Sequence, residues 1–464
     1  MKTLPILPLR KKCRQAPCRN SGREPVRGQG VMHTEVFHKN ELLDRESLDK
    51  LQAIRLKNTV FQASRSKFYR DQLYHAGIKV ADMQTVDDVR RLPFTTKEIL
   101  RTQYPYGMLA LPVEKMNRMH ASSGTTGSPT AIFYTKNDVE TWGDLVARCM
   151  YCVGIRPKDV FQNMSGYGLF TGGLGIHYGA EKLGCCTIPA GAGNSKRQIK
   201  LLKDFHVSAI HIIPSYALHL ATVFDKLGID PKSLNLRIAI VGAEPHTEAV
   251  RQRIEEIYGI KAYNSYGLSE MNGPGVAFEC PEQNGMHIWE DAYLAEILDP
   301  KTQEPLPDGE IGELVITTLT REGMPLLRYR TKDLSRFLPG ECPCGRVHRR
   351  LDRILGRVDD MIILKGVNIY PMQIERVLME IPEVGQNYLI VLEREGYLDQ
   401  MRVKVEVKDD YFVEDMRVLK GLQQKIARLL KDEILITPRV DLVEHNTLPT
   451  SEGKAKRVED HRED

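Results

Sequence analysis

A chain of 464 residues is longer than one hydrophobic core sustains, so two or three domains are expected, and 42% hydrophobic with 27% charged residues is the balance of a globular protein. No apolar run nears the roughly 20 residues that cross a bilayer. The net charge of +4 makes no case for nucleic acid, because residues 1–32 hold eight Lys or Arg against Glu24 and the remaining chain stands at −3.

That basic segment has Pro and Gly but no helical periodicity, so residues 1–32 read as a disordered tail or a mis-assigned start, with Met32 opening a more protein-like sequence. LPILPL is too short and proline-broken for a signal-peptide core. Nine unevenly spaced cysteines do not make a disulfide framework and favour a reducing cytoplasm. Residues 41–78 are predicted helical, with Leu48, Leu51 and Ile54 or Leu56 on the apolar side. Residues 121–130 read ASSGTTGSPT, a run that buries almost nothing and offers amide and hydroxyl donors to an anion. It lacks GxxxxGK[ST] and any lysine, so it is not the phosphate loop of the common ATPases, and alone it reads equally as a solvated turn.

Farther on, DVFQNM reads as a strand, YGLFTGGLG as a glycine-rich loop, 177–183 as a helix and CCTIPA as a strand. SAIHII, the helix through SYALHLATVFDKLG, LRIAIVGAEP and the helix through EAVRQRIEEIYG repeat the unit. Strand, crossover and strand in this order predict a parallel, doubly wound sheet that binds ligands at its strand ends. Residues 286–340 turn strand-rich. After 360 an α+β module is predicted, with Ile374, Val377, Leu378 and Ile381 on one helix, MRVKVEV as a strand, and Leu422, Ile426, Leu429 and Leu430 on a second helix.

GAEP (242–245), YGLSE (266–270), YRTKD (329–333), GRVDD (356–360), LKGVNIYP (364–371) and LPTSEGKAKR (448–457) follow the serine–threonine run in a fixed order. The series resembles the adenylate-forming superfamily, and within it the phenylacetate–CoA ligases, through RLPFTTKEIL, HASSGTTGSPT, GYGLFTGGLG, GPGVAFEC, HIWED, LTREGMPLLRYRT and ECPCGR. The resemblance covers about residues 38–458. It implies an α/β large N-terminal domain (33–358), with doubly wound mixed sheets plus a strand-rich part, and a small mobile α+β C-terminal domain (359–464) hinged at Asp359. It also implies activation of an aromatic carboxylate with ATP and Mg²⁺ to an acyl-adenylate, then transfer to CoA.

In that scheme Ser122, Ser123, Gly124, Thr125, Thr126 and Gly127 would hold the pyrophosphate end. Thr130 stands where many superfamily members have lysine. Glu270 would hold Mg²⁺. Tyr266 would stack on adenine, with Gly242, Ala243 and Glu244 shaping its slot; a plain core tyrosine is the alternative. Asp333 would accept the ribose hydroxyls, Arg357 would lie by the sugar–phosphate, and Lys454 would reach the reacting carboxylate and α-phosphate. Lys456 and Arg457 read as surface charges, and Lys365 and Gly366 as CoA-side residues. Tyr167 and Phe170 would wall the aryl pocket, with Gly242 leaving room at its floor, unless both aromatics are core.

Separately, Cys280 and His287 in ECPEQNGMH and Cys342 and Cys344 in ECPCGR match a Cys₃His structural zinc site, with His348 competing for the fourth place and reduced, metal-free cysteines as the alternative. Another acceptor (a carrier protein or a coenzyme F390-type substrate) and an inactive zinc-bearing homologue are the other functional readings. The resemblance leaves room for a homodimer, although no residues mark an interface; neither a membrane nor nucleic acid is an expected partner.

Overall fold

The computed structural model describes residues 36–122, 129–365, 367–395, 398–412, 415–445, 447–449 and 457–462, so the basic N-terminal segment and most of the serine–threonine run lie outside the described residues. Two helices, Arg45–Ala63 and Lys67–His75, stand where one helical stretch was expected. The Ser66 hydroxyl accepts the Tyr69 N–H and starts the second as its N-cap. Leu48, Gln52, Leu56, Val60 and Ala63 form the buried stripe of the first, and Ile54 falls on the exposed side.

A hairpin follows, β1 (Arg118–Ser122) with β2 (Thr130–Tyr134). Then come β3 (Val160–Asn163), β4 (Cys186–Ile188), β5 (Ala209–Ile212), β6 (Ile238–Gly242) and β7 (Lys261–Tyr266), parallel to one another. The chain continues through β8 (Ala277–Glu279), β9 (Met286–Ile288), β10 (Tyr293–Leu298), β11 (Gly312–Thr318), β12 (Tyr329–Ser335), β13 (Phe337–Leu338), β14 (Arg350–Leu351) and β15 (Gly356–Arg357). One nine-stranded sheet runs β4-β3-β5-β6-β7-β8-β9-β14-β13, parallel up to β7 and antiparallel beyond; β10-β11-β12-β15 form a second. Alternate residues of β5 and β6 feed two cores, Ala209, Ile238 and Ile240 on one face and Ile210, Ala239 and Val241 on the other, as a sheet covered on both sides requires.

The glycine-rich stretch 167–175, expected as a loop, is one only as far as Phe170; from Thr171 it opens a helix, Thr171–Leu183, which begins well before the predicted 177–183. A Cβ on Gly175 would lie 2.4 Å from the Trp142 ring, and one on Gly179 would lie 2.3 Å from Val146. These glycines let the helix press against its neighbour, Lys136–Cys152, rather than loosen the chain.

The small domain begins with a hairpin, β16 (Ile362–Leu364) and β17 (Val367–Ile369), and holds a sheet of β18 (Val384–Glu395), β19 (Leu398–Val407), β20 (Arg439–Val443) and β21 (Val458–Asp460) in the order β20-β19-β18-β21. Helices Pro371–Met379 and Met416–Ile434 supply Ile374, Leu378, Leu422, Ile426 and Leu430 to its core, against Val403 and Val405 of β19. The architecture is the mixed α/β arrangement expected, a large N-terminal and a small C-terminal domain.

Candidate active site

The ends of β6 and β7 carry the first group of predicted residues. Gly242 pairs with Ser265 across the two strands, and a Cβ there would stand 2.5 Å from the Ser265 hydroxyl, so the neighbouring strand uses the missing side chain. Ala243 follows with φ 73, a left-handed conformation that costs a non-glycine residue about 1–3 kcal/mol and turns the backbone sharply. The Glu244 carboxylate accepts the Ser215 N–H at 2.7 Å, so this side chain ties the turn to the start of helix Pro214–Leu227.

Tyr266 is buried, and its hydroxyl donates to Asp333 Oδ2 at 2.6 Å. Asp333, on β12, faces Arg357 of β15 in register and accepts its guanidinium at 2.9 Å. Arg357 in turn forks onto Asp359 at 2.9 and 3.1 Å. Burial pushes the Asp333 carboxyl up to about 6 against the opposing pull of Arg357, and burial with the Asp333 charge raises the Tyr266 phenol well above its ordinary range. The chain Tyr266–Asp333–Arg357–Asp359 therefore runs from a buried ring to the predicted hinge. Lys332 adds a positive charge 3.7 Å from Asp359.

Glu270 stands in the short turn Ser269–Met271 after β7 and is buried. The Tyr329 hydroxyl is hydrogen-bonded to it, and burial with that carboxylate drives the phenol well above its ordinary range. Arg321 fixes the turn, donating to Glu270 O at 3.0 Å and Asn272 Oδ1 at 2.7 Å while lying 4.2 Å over the Tyr134 ring. Neither Arg321 nor Tyr329 had a predicted role, although LTREG and YRTKD both contain the signal.

Ser122 and Thr130 are cross-strand partners at the neck of the serine–threonine loop. Both hydroxyls, and Nε2 of His120 beneath them, are buried without a hydrogen-bond partner among the described residues. Orphan hydroxyls are rare in a folded interior and mark a place prepared for a further acceptor or donor. Thr130 is 1% exposed, so a lysine here would bring its charge into the neck. Ser123, Gly124, Thr125, Thr126 and Gly127 lie outside the described residues, as do Lys454, Lys456 and Gly366.

Tyr167 and Phe170 belong to the segment between β3 and helix Thr171–Leu183. Leu169 O, between them, accepts the Ala121 N–H at 3.0 Å, which ties the segment to the stem of the serine–threonine loop. Tyr167 is 36% and Phe170 54% exposed, so neither is core. Asn163 Nδ2 donates to the Tyr167 hydroxyl at 3.0 Å. Lys365 stands on the exposed turn of the β16–β17 hairpin and donates to Gln400 at 3.2 Å, within the small domain. Arg457 is not a surface charge as expected: it lies 4.5 Å over the ring of buried Tyr388.

Cys280, His287, Cys342 and Cys344 converge, with every potential ligand atom within 4.8 Å of the others. Cys280 and Cys342 have their sulfurs 3.6 Å apart, near the tetrahedral edge of about 3.7 Å that Zn–S bonds of about 2.3 Å give. His287 Nδ1 bonds to His348 O at 2.7 Å, which leaves Nε2 turned toward Cys344 Sγ at 3.3 Å, the orientation that a carbonyl partner imposes on a ligating histidine. His348 is engaged at both nitrogens, by Glu290 N at 3.1 Å and Asn40 O at 3.3 Å, so it stands behind the cluster rather than in it. Arg346 bonds to Cys344 and, at 2.9 Å, to the buried Glu41.

Two family models match the chain, AMP-binding enzyme over residues 117–320 and AMP-binding enzyme C-terminal domain over 366–462. The phenylacetate-coenzyme A ligase of Thermus thermophilus is 48% identical over 437 residues, 91% of this chain and 98% of that protein. That of Escherichia coli is 43% identical over 426 residues, 90% of this chain and 97% of its relative. Among solved structures, 2-hydroxyisobutyryl-CoA ligase in its postadenylation state, with R3-HIB-AMP, superposes with a TM-score of 0.86 at 29% identity, covering 92% of each chain. The same relative in the thioesterification state, with CoA, gives 0.68 over the same coverage. With near-complete coverage in both directions, and with YGLSE, YRTKD and GRVDD joined through Tyr266, Asp333 and Arg357, the chain belongs to the phenylacetate–coenzyme A ligase family of AMP-binding enzymes.

Proposed function

We propose that this chain joins an aromatic carboxylate, phenylacetate or a near aryl relative, to ATP and then to CoA, giving the aryl-acyl-CoA thioester, AMP and pyrophosphate. The buried Tyr266–Asp333–Arg357 chain beside the Gly242–Glu244 turn carries this reading. It offers an aromatic face for adenine and a fixed carboxylate for the ribose hydroxyls at the ends of adjacent strands. In the first step a carboxylate oxygen attacks the α-phosphorus and the bond to pyrophosphate breaks. Ser122, with the following Ser123, Gly124, Thr125, Thr126 and Gly127, would receive the charge on that leaving group, and Lys454 would approach the reacting oxygens. In the second step the CoA thiol loses its proton, its sulfur attacks the acyl carbon, and the bond to AMP breaks; no side chain of the protein becomes covalently bonded.

The buried anionic oxygens of Glu270 suit a hard cation, and Mg²⁺ bound there would neutralise phosphate charge. The Cys₃His cluster suits a closed tetrahedral zinc site that pins the strand-rich region, and its thiols fit the reducing cytoplasm proposed from cysteine usage. Asp359, forked by Arg357, suits the hinge between residues 33–358 and 359–464; Lys365 and Gly366 would face CoA. Tyr167 and Phe170 would line the aryl slot. A homodimer is checked by light scattering. The experiment that tests the reading is a panel of aryl acids assayed for ATP-dependent CoA consumption: thioester is expected with phenylacetate or a near relative, and silence across the panel would refute it.

A further inference from the structure

Strands β3, β5 and β6 lie side by side and parallel, in that order. The segment with Tyr167 and Phe170, which would wall the aryl slot, leaves the end of β3, and Gly242, which would floor it, ends β6. The strand between them, β5, carries His211. Its register partners are Asn163 of β3 and Ile240 of β6, and Gly242 stands two residues beyond Ile240. His211, Asn163 and Gly242 therefore share one face of the sheet.

His211 is 3% exposed, and its Nδ1 is hydrogen-bonded to the Ser165 hydroxyl at 2.5 Å. Ser165 is buried too, and its N–H donates to Asn163 Oδ1 at 3.1 Å. Asn163 Nδ2 donates in turn to the Tyr167 hydroxyl at 3.0 Å and to Gly173 O at 2.7 Å, so one side chain fixes both the Ser165–His211 pair and the Tyr167 side of the slot. Burial pushes the His211 imidazole down to about 4, which keeps the ring neutral at ordinary pH. A neutral imidazole with one nitrogen on a hydroxyl has one donor or one acceptor left to place at the other. Among the described residues, His211 Nε2 has no hydrogen-bond partner. Polar atoms this deep in a protein are seldom left unpaired, and at the end of a strand beside the slot the missing partner is a group of the substrate.

We propose that Ser165 and His211 form a polar end to the aryl slot that hydrogen-bonds a ring hydroxyl, so that a hydroxylated aryl acid is preferred to the bare ring; this rests on the adenylate-forming reading above. If the Ser165 O–H donates to Nδ1, the imidazole proton sits on Nε2 and donates to the phenol oxygen. With the other tautomer, Nε2 accepts the phenol proton. A hydroxyl answers either case. A charged substituent does not fit, because a desolvated site with neutral partners leaves its charge uncompensated. An unsubstituted ring would leave Nε2 unpaired. The pair selects the ring and takes no part in the chemistry at the carboxylate.

The full chain tests this through ATP-dependent CoA consumption with phenylacetate and its ortho-, meta- and para-hydroxy derivatives, compared as kcat/KM. One hydroxy acid should exceed phenylacetate by about tenfold or more, the scale of a hydrogen bond that the bare ring cannot make. His211→Leu removes both ring nitrogens, and Ser165→Ala removes the hydroxyl that orients them. Each should cut the ratio of that acid to phenylacetate by about tenfold, whatever it does to either rate alone. His211→Gln, which restores a donor and an acceptor, should recover part of the ratio, a recovery that a purely structural histidine would not show. Ser165→Ala serves as the reading if the His211 variants do not fold. Activity with phenylacetate equal to or above that with every hydroxy acid, or a ratio unmoved by the variants, would overturn this assignment and leave the assigned reaction standing. Silence with all four acids would overturn the reaction and this assignment together.

Discussion

Asp333 answers two opposed demands. Its carboxyl is raised to about 6 because burial outweighs the attraction of Arg357, so the folded chain takes up this proton before the unfolded one as pH falls. The ionised form therefore costs stability above about pH 6, and that cost is relieved between there and the ordinary carboxylate range. Function runs the other way, since only the carboxylate accepts two ribose hydroxyls while paired with Arg357. The KM for ATP should rise as pH falls through about 6, without a loss of melting temperature from this group. Asp333→Asn should lower kcat/KM for ATP by about tenfold or more and remove that acid limb, while the melting temperature stays within a few degrees. A variant that unfolds, or one that keeps full ATP affinity, would contradict this account. Motif order named Glu270, Tyr266, Asp333 and Arg357 as candidates, and the fold brings the last three into contact. The support for Glu270 was not legible, because Arg321 reaches its carbonyl from far along the chain and only folding creates that contact.

Helices and strands were legible where period and composition agree, as in the parallel strands and the amphipathic helices of the small domain. Thr171–Leu183 shows where they misled. Glycine normally argues for a loop through its backbone freedom, but Gly175 and Gly179 serve close helix–helix approach, and sequence does not distinguish the two uses. Gly175→Ala should therefore overpack against Trp142 and cost about 1–3 kcal/mol, read as a lower midpoint in denaturant. The Cys280–His287–Cys342–Cys344 cluster belongs to this scale too, because it brings the β8–β9 segment to the loop between β13 and β14. The protein as purified should carry equimolar zinc by emission spectrometry. Cys342→Ser should lose the metal and lower the melting temperature, and full stability of that metal-free variant would contradict a structural role.

At the scale of the whole molecule, each domain carries a core of its own, Met379 of the small domain packs against the large domain's core as well, and the Arg357–Asp359 fork stands at the junction. Such a join suits a molecule that must present one set of residues to ATP and another to CoA in turn. The order of the two domains was readable from motif order, whereas the arrangement was not, since it depends on contacts between residues more than a hundred positions apart, such as Met379 with the core that runs from Met164 to Ala262. Deletion of residues 1–32 should leave pyrophosphate exchange and thioester formation unchanged when measured side by side with the full chain. The most direct measurement is exchange of labelled pyrophosphate into ATP with phenylacetate and Mg²⁺ but no CoA. The account predicts exchange that depends on the acid and falls sharply in Lys454→Ala; exchange that needs no acid, or that survives this substitution undiminished, would contradict it.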